Sequence, residues 1–289
     1  MSVSRPSVGR RLGGLVRLSH PFPSLLDGLA TATFARLAGG DPLTIVRLGV
    51  SMTALQVSIG MLNDLIDAPH DAGHKPGKPI PAGLVTVAAA RVGVIASAVV
   101  GVLLAASSGA ATTGLAVVIL AIGYGYDRFA KGTAWSWLPF AIGIPLLPVF
   151  GWLGVAATVP PSFAILVPAA VVAGTALAIG NARADLERDA AAGVVSVATA
   201  LGPERAWTVE AVLFAVVSAV AIVSLLVTRP GPLALAGALA GVAVIGIGTW
   251  LGRHDDARRR ERAWEAQAVG VAVLAAAWLA GVVGETGLG

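Results

Sequence analysis

The chain has 289 residues, of which 56% are hydrophobic and 12% charged, and its mean hydropathy is +0.82. Soluble proteins carry roughly 25% charged residues, so this chain has too few to cover a water-facing surface. A disordered chain and a disulfide-stabilised scaffold are also excluded, because the sequence is apolar and contains no cysteine. We therefore predict an integral membrane protein.

Apolar runs long enough to cross a hydrocarbon core of about 30 Å predict an all-α protein with about nine transmembrane helices. The predicted spans are 21–39, 43–62, 84–106, 110–128, 136–156, 162–182, 204–228, 232–252 and 266–284. The first span is the weakest, because Asp27 and Arg36 interrupt it. We expect a basic N-terminal segment at 1–20 and a single transmembrane domain over 21–289.

Basic residues are distributed unevenly between the predicted loops. Seventeen of the 20 lysines and arginines fall in the N-terminal segment or in alternate loops on the same side of the membrane. The positive-inside rule places the N-terminus and these loops in the cytoplasm, with the protein in the cell membrane. These basic cytoplasmic loops, which face lipid headgroups, account for the net charge of +4 and the pI of about 10.1. We therefore expect no nucleic-acid partner, and no protein partner is evident.

Two acid-rich segments follow the second and sixth predicted spans, on the cytoplasmic side. They read NDLIDAPHD over 63–71 and NARADLERD over 181–189, and both have the pattern N-x-x-x-D-x-x-x-D. Residues at this spacing share one helix face, although Pro69 is expected to bend the first row. Carboxylates stacked on one face are destabilising unless a cation lies among them, and oxygen ligands suit Mg²⁺. We predict that the two rows hold Mg²⁺ ions that clamp a diphosphate.

All three lysines of the chain are predicted to lie on the same side as these acids. Lys75 and Lys78 lie in the stretch 72–83, whose prolines and glycines predict a stiff, non-helical loop. Lys131 lies in a neighbouring loop. Their ammonium groups are placed to bind the outer oxygens of a leaving diphosphate.

Two other interpretations of the acids remain open at this point. They could be ordinary loop acids that promote solubility, although chance does not readily repeat one spacing about 118 positions apart. They could instead belong to an ion-coupled transporter, in which intramembrane acids carry protons or sodium. Their position at helix ends rather than near the middle of the spans argues against transport.

The sequence resembles the UbiA superfamily of intramembrane prenyltransferases. The run from Asn63 to Asp71, followed by KPIPAG at 78–83, is similar to the first signature of that family. Asp185 and Asp189, followed by Gly193, Thr199 and Gly202, are similar to the second, and 126–133 to its third conserved loop. Lys78 stands where the family usually has arginine, which keeps the charge but loses the bidentate fork. The motif loops are thus 63–83, 126–135 and 181–203.

The resemblance implies Mg²⁺-dependent transfer of an isoprenoid chain from a polyprenyl diphosphate to a small acceptor, most naturally an aromatic or quinone precursor. A UbiA-type terpene cyclase, which needs no acceptor, is the alternative within the family. The implied metal ligands are Asn63, Asp64, Asp67, Asp71, Asp185 and Asp189. The implied catalytic residues are Asp67, Asp71, Asp127, Asp185 and Asp189, and the implied substrate-binding residues are Lys75, Lys78, Lys131, Tyr126 and Asn181. Asp127 is read equally well as an acceptor base or as an ion-pair partner of Arg128 or Lys131.

Overall fold

A computed structural model describes residues 7–75 and 77–285 of the chain. Residues 1–6 of the predicted basic segment, Pro76 of the predicted loop and residues 286–289 of the predicted domain lie outside the described residues. Every regular element in the described ranges is helical, which confirms the all-α class.

The described residues form thirteen α-helices and one π-helical turn. In chain order they are α1 (Val8–Leu18), α2 (Pro21–Leu37), α3 (Pro42–His74), α4 (Val87–Ala106), α5 (Ala110–Gly125), the π turn (Tyr126–Ala130), α6 (Leu138–Gly143), α7 (Leu146–Leu153), α8 (Phe163–Ala184), α9 (Leu186–Ala191), α10 (Val197–Leu201), α11 (Pro203–Val227), α12 (Pro232–Leu251) and α13 (Ala257–Glu285).

Seven helices in the described part of the chain are long and apolar enough to cross a membrane, so the protein is a multi-pass membrane protein. They are α3, α4, α5 with the π turn, α8, α11, α12 and α13. The two other predicted spans differ. Helix α2 has 17 residues, about 26 Å, and the span 136–156 is divided into α6 and α7 by a turn at Ile144 and Pro145. A count of nine membrane crossings, and their orientation, stays a prediction.

Capping residues fix where the long helices begin. The Asp41 carboxylate accepts hydrogen bonds from the backbone N–H groups of Leu43 and Thr44, at 3.0 and 3.1 Å, and Pro42 occupies the first position of α3. The hydroxyl of Thr86 accepts a backbone hydrogen bond in the first turn of α4. Such oxygens satisfy N–H groups that have no partner within the helix. With its start fixed, α3 carries the first acid segment at its opposite end.

Glycines allow several helices to approach one another closely. A Cβ atom on Gly241 of α12 would lie 2.7 Å from the backbone nitrogen of Leu274 in α13. A Cβ atom on Gly151 of α7 would lie 2.6 Å from the carbonyl oxygen of Thr31 in α2. Small residues at such positions are the usual means by which helices pack inside a membrane. They hold α2 and α7, and α12 and α13, in direct backbone contact.

The structure corrects two local predictions. Helix α3 continues through Pro69 to His74, and the bend expected at the proline stays a prediction. Residues 72–74 are therefore helical, and the non-helical loop begins at Lys75 rather than at 72. The second acid segment is not on one continuous helix, because α8 ends at Ala184 and α9 begins at Leu186. The regular spacing of that segment concealed the junction at Asp185.

Candidate active site

Three predicted motif regions meet at one end of the bundle. They are the last turns of α3 with the loop that follows, the π turn, and the junction between α8 and α9. Side-chain contacts join all three, across sequence separations of 64 and 110 residues. We call the group formed by Asp64, Asp67, Asp71, Asp127, Asp185 and Asp189 the acidic site.

Two carboxylates of the first acid segment share one lysine. Asp64 and Asp71 lie seven residues apart on the same face of α3, and each is only 3% exposed. The ammonium group of Lys78 is hydrogen-bonded to Asp64 Oδ1 and lies 3.8 Å from Asp71 Oδ2. Nε2 of His20 lies 3.0 Å from the same Asp64 oxygen. A buried carboxylate needs such partners, and here two basic side chains supply them.

The other residues of the first segment face the π turn. Asn63 Nδ2 donates a hydrogen bond of 2.7 Å to Asp127 Oδ1, and Lys131 is hydrogen-bonded to Asp67. Asp127 is buried. The structure thus places Asn63 and Asp67 beside the third motif loop. Lys131 pairs with Asp67 and not with Asp127, so Asp127 is held by an amide rather than by the ion pair considered above.

The π turn shapes the third motif loop. Residues 126–130 form a wide helical turn at the end of α5, a geometry that often occurs at functional sites. The ring of Tyr126 packs edge-on against Phe140 of α6, with ring centroids 5.9 Å apart. Gly132 follows in the left-handed region, with φ of +77°. This arrangement directs Asp127 towards α3 and brings Lys131 to the acidic site.

The second acid segment is joined to the first by Lys75. The Lys75 Nζ atom lies 3.0 Å from Asp185 Oδ2, and Arg188 is hydrogen-bonded to the other Asp185 oxygen. The backbone N–H of Asp189 donates to the carbonyl of Asp185, at 2.9 Å. Asn181 is half-buried one turn before Asp185 on α8. The two segments therefore face one another across a lysine.

Burial and neighbouring charge both act on ionisable groups here. Burial raises the pKa of Asp189 above its usual range, and the positive charges of Lys75, Arg188 and Lys131 oppose that rise. Burial lowers the pKa of Lys75, as do Arg188 and Lys78 nearby, while Asp71 and Asp189 act in the opposite direction. The site thus places cations and carboxylates of three elements within electrostatic reach of one another.

The donor set fits a hard divalent cation. Among the described residues, no three acidic or histidine side chains converge on one point. Mg²⁺ does not require this, because it is commonly held by one or two carboxylates and completes its shell with water and substrate phosphate. Asp71 Oδ2 and Asp127 Oδ2 are buried and accept no hydrogen bond from any described residue. These two oxygens and the carboxylates of the half-exposed Asp67 and Asp185 are the type of ligand that such an ion binds.

An apolar cavity lies next to the acidic site. It has an empty volume of about 1070 Å³, part of which is open to the surroundings, and lies between α2, α6, α7, α8, α11 and α13. Phe140, which packs against Tyr126, lines it on one side. Phe22, two residues after His20, lines it on another. The cavity therefore adjoins the acidic site at both the π turn and the start of α2.

Sequence reasoning missed two groups of residues. No sequence pattern singled out His20, yet it contacts Asp64 from a left-handed backbone conformation, with φ of 46°. Arg183 Nη1 donates to buried Glu210 Oε2 at 2.7 Å, and Gln267 Nε2 donates to Glu210 Oε1 at 2.7 Å. A glutamate inside an apolar span requires a partner, and that signal was present in the sequence.

The fold and the site together define a multi-pass helical membrane protein with an acid- and lysine-rich site beside an apolar cavity. The model of the UbiA prenyltransferase family matches residues 25–283. The chain therefore belongs to the UbiA prenyltransferase family, as its motifs predicted. No curated protein matches the chain significantly in sequence.

Solved structures share the fold at low sequence identity. The apo structure of a UbiA homolog from Aeropyrum pernix K1 has a TM-score of 0.71 at 17% identity, covering 91% of this chain and 98% of that chain. A UbiA homolog from Archaeoglobus fulgidus, bound to DMAPP and Mg²⁺, has a TM-score of 0.69 at 21% identity, covering 90% and 98%. A structure described for digeranylgeranylglyceryl phosphate synthase has a TM-score of 0.67 at 15% identity, covering 95% and 99%.

Proposed function

We propose that this protein transfers an isoprenoid chain from a polyprenyl diphosphate to an aromatic or quinone-precursor acceptor, with Mg²⁺ as cofactor, and releases diphosphate. The observation that carries the proposal is the convergence of two acid segments and all three lysines beside an apolar cavity. Family membership supports it. So do the Archaeoglobus fulgidus homolog structures, which were obtained with DMAPP or GPP and Mg²⁺ bound.

The metal would be held by oxygen ligands of the acidic site. We assign that role to Asn63, Asp64, Asp67, Asp71, Asp185 and Asp189, with Asn181 assisting at the substrate. When bound, Mg²⁺ would neutralise the diphosphate and stabilise the charge that develops as the carbon–oxygen bond breaks. The buried oxygen of Asp71 and the two half-exposed carboxylates, Asp67 and Asp185, are the strongest candidates.

The three lysines would bind the diphosphate itself. Each ammonium group is already at the acidic site, with Lys75 on Asp185, Lys78 on Asp64 and Lys131 on Asp67. A lysine carries three donors on a flexible stem, so each can keep one carboxylate and donate to a phosphate oxygen as well. Donors fixed around the leaving group stabilise it as negative charge accumulates.

Asp127 is the proposed base for the acceptor. One of its oxygens accepts from Asn63, and the other is buried and accepts from none of the described residues. That second oxygen can take a proton from an acceptor as the acceptor attacks the allylic carbon. Tyr126 lies beside it and packs on Phe140 at the cavity wall, where it would orient the acceptor. The isoprenoid chain would lie in the cavity.

The membrane arrangement completes the proposal. We place the acidic site at the cytoplasmic face of the cell membrane, with a basic cytoplasmic segment at 1–20 and one transmembrane domain of nine crossings over 21–289. In that arrangement α2 crosses as a short helix and α6 with α7 crosses as a broken one.

Diphosphate release by the purified protein tests the proposal. Geranylgeranyl diphosphate and Mg²⁺ are supplied with and without a pool of phenolic acceptors, and Asp67→Ala serves as the inactive control. Acceptor-dependent release supports the transferase. Release without an acceptor, with a terpene product, identifies a cyclase and overturns the transfer step. No release with prenyl diphosphates of any length favours an ion-coupled transporter and refutes the proposal.

A further inference from the structure

The wall of the apolar cavity carries one ionisable side chain among its described residues. This is Asp27, on the cavity-facing side of α2. The indole of Trp264, on α13, lines the same cavity. Its N–H group is buried and donates to none of the described residues. The remaining lining is hydrocarbon or aromatic, apart from the indole of Trp278, whose N–H donates to Ser224 at 2.9 Å.

Asp27 is not explained by the packing of the protein. No hydrogen bond or ion pair joins its side chain to another described residue. In the acidic site, by contrast, Asp64, Asp67 and Asp185 each pair with a lysine. A carboxyl group in apolar surroundings without a partner is costly. Ionisable residues inside membrane helices therefore commonly mark a functional site. A cavity that received only a hydrocarbon chain would be better lined by leucine at this position.

The position of Asp27 relative to the acidic site can be read from α2. His20, just before α2, lies 3.0 Å from Asp64, which fixes the start of this helix at the acidic site. Asp27 is seven residues further along, about 10 Å down the helix axis. Near the start of α2, Phe22 packs on Trp264 with ring centroids 6.0 Å apart. Asp27 therefore lines the cavity further along α2 from the acidic site than Phe22, whose ring contacts Trp264.

We propose that Asp27 is an acceptor-binding residue, and that the acceptor is a largely apolar molecule with a hydroxyl group that donates a hydrogen bond to the Asp27 carboxyl. This inference rests on the proposed function and names the substrate class of the same site. A carboxylate accepts hydrogen bonds and Trp264 donates one, so the cavity offers both partners that a hydroxylated ring can use. A cationic acceptor would lose its hydration shell on entering the cavity, and only one acidic group among the described lining residues would compensate for that loss. A neutral hydroxylated molecule is therefore the better fit.

A matched pair of ligands tests this without requiring turnover. Binding of 4-nonylphenol and of nonylbenzene, which lacks the hydroxyl, is measured for the full chain in lipid nanodiscs. The wild-type protein should favour the phenol by up to roughly tenfold, the value expected when one hydrogen bond is gained or lost. In Asp27→Leu most of this preference should be lost, because the acceptor of the hydroxyl proton is gone and only the Trp264 donor remains. Asp27→Asn, which still accepts a hydrogen bond, should keep part of the preference.

Control measurements distinguish a binding role of Asp27 from a structural one. Glu261→Gln removes an exposed acid of α13 and should leave the preference for the phenol unchanged. Asp27→Leu should keep or raise the thermal midpoint; a fall of many degrees would show a structural role and overturn the inference. Equal binding of both ligands by the wild type, or an unchanged preference in Asp27→Leu, would also overturn it. Diphosphate release is measured separately, so its failure refutes the proposed function while the binding ratio still decides the role of Asp27.

Discussion

Replacing Glu210 by leucine should destabilise the protein more than any single change at its surface. Glu210 is 1% exposed, and its two oxygens accept from Arg183 and Gln267, each at 2.7 Å. The Arg183 guanidinium also donates to the carbonyl of Gly252 at 2.6 Å. Helices α8, α11 and α13 and the end of α12 therefore meet at one buried ion pair. The substitution leaves Arg183 buried without its counter-charge.

The magnitude follows from the burial of both partners. Removing one member of a buried pair costs about 3–5 kcal/mol, because the remaining charge stays in a low-dielectric environment. For a chain of this size such a loss corresponds to a fall in Tm on the order of 10 °C. Glu210→Gln keeps the shape and one acceptor, so its cost should be smaller, about 1.5–3 kcal/mol. Replacing both partners, as Arg183→Met with Glu210→Leu, should recover most of the loss because no charge remains unpaired.

Thermal unfolding of the purified variants in one detergent measures these differences, with Glu204→Gln as an exposed-acid control on the same helix. The order of Tm values should be wild type, double variant, Glu210→Gln and then Glu210→Leu. A double variant less stable than Glu210→Leu would refute the reasoning, since the penalty would then come from lost packing rather than from an unpaired charge.

Three further outcomes are expected at the acidic site. Asp67→Ala or Asp185→Ala should lower diphosphate release at least about 100-fold, because each removes an oxygen ligand needed for the metal. Gel filtration should show that both variants are still inserted and folded. Near-normal turnover in the release assay would contradict the metal assignment. Lys78→Ala should raise KM for the prenyl diphosphate about tenfold or more, whereas Lys78→Arg should stay close to wild type. Chelation of divalent cations by EDTA should abolish release and added Mg²⁺ should restore it; activity that persists in EDTA would exclude the metal.

Much of the fold could be predicted from the sequence because a membrane imposes strong constraints. An apolar run of about 20 residues has few alternatives to a helix. Seven predicted spans correspond to long helices for this reason. The span 136–156 is different: its hydropathy is continuous, but Pro145 removes a backbone donor and α6 ends just before it. Hydropathy cannot detect this break, because proline interrupts the hydrogen-bond ladder without making the segment polar.

The sequence predicts which residues form the acidic site, but not which lysine contacts which carboxylate. Spacing alone placed Asn63, Asp67 and Asp71 in one row, whereas α3 turns Asn63 and Asp67 towards the π turn and Asp71 towards Lys78. Which lysine meets which acid depends on how α3, α5 and α8 pack, and this information is not contained in any one segment. The junction at Asp185 was missed for the same reason, since a helix break between alanine and leucine has no marker in composition.

The buried ion pair and the acidic site are connected through α8. Arg183 lies two residues before Asp185, and its contacts to Glu210 and Gly252 fix the end of the helix from which Asp185 projects. A rigid end is needed there, because a ligand placed even 1 Å away from its required position loses much of its effect. A charge pair costs more to bury than an apolar pair, but its hydrogen bonds specify one orientation of the helix end. We expect the double variant of Arg183 and Glu210, even with its stability recovered, to release diphosphate more slowly than wild type.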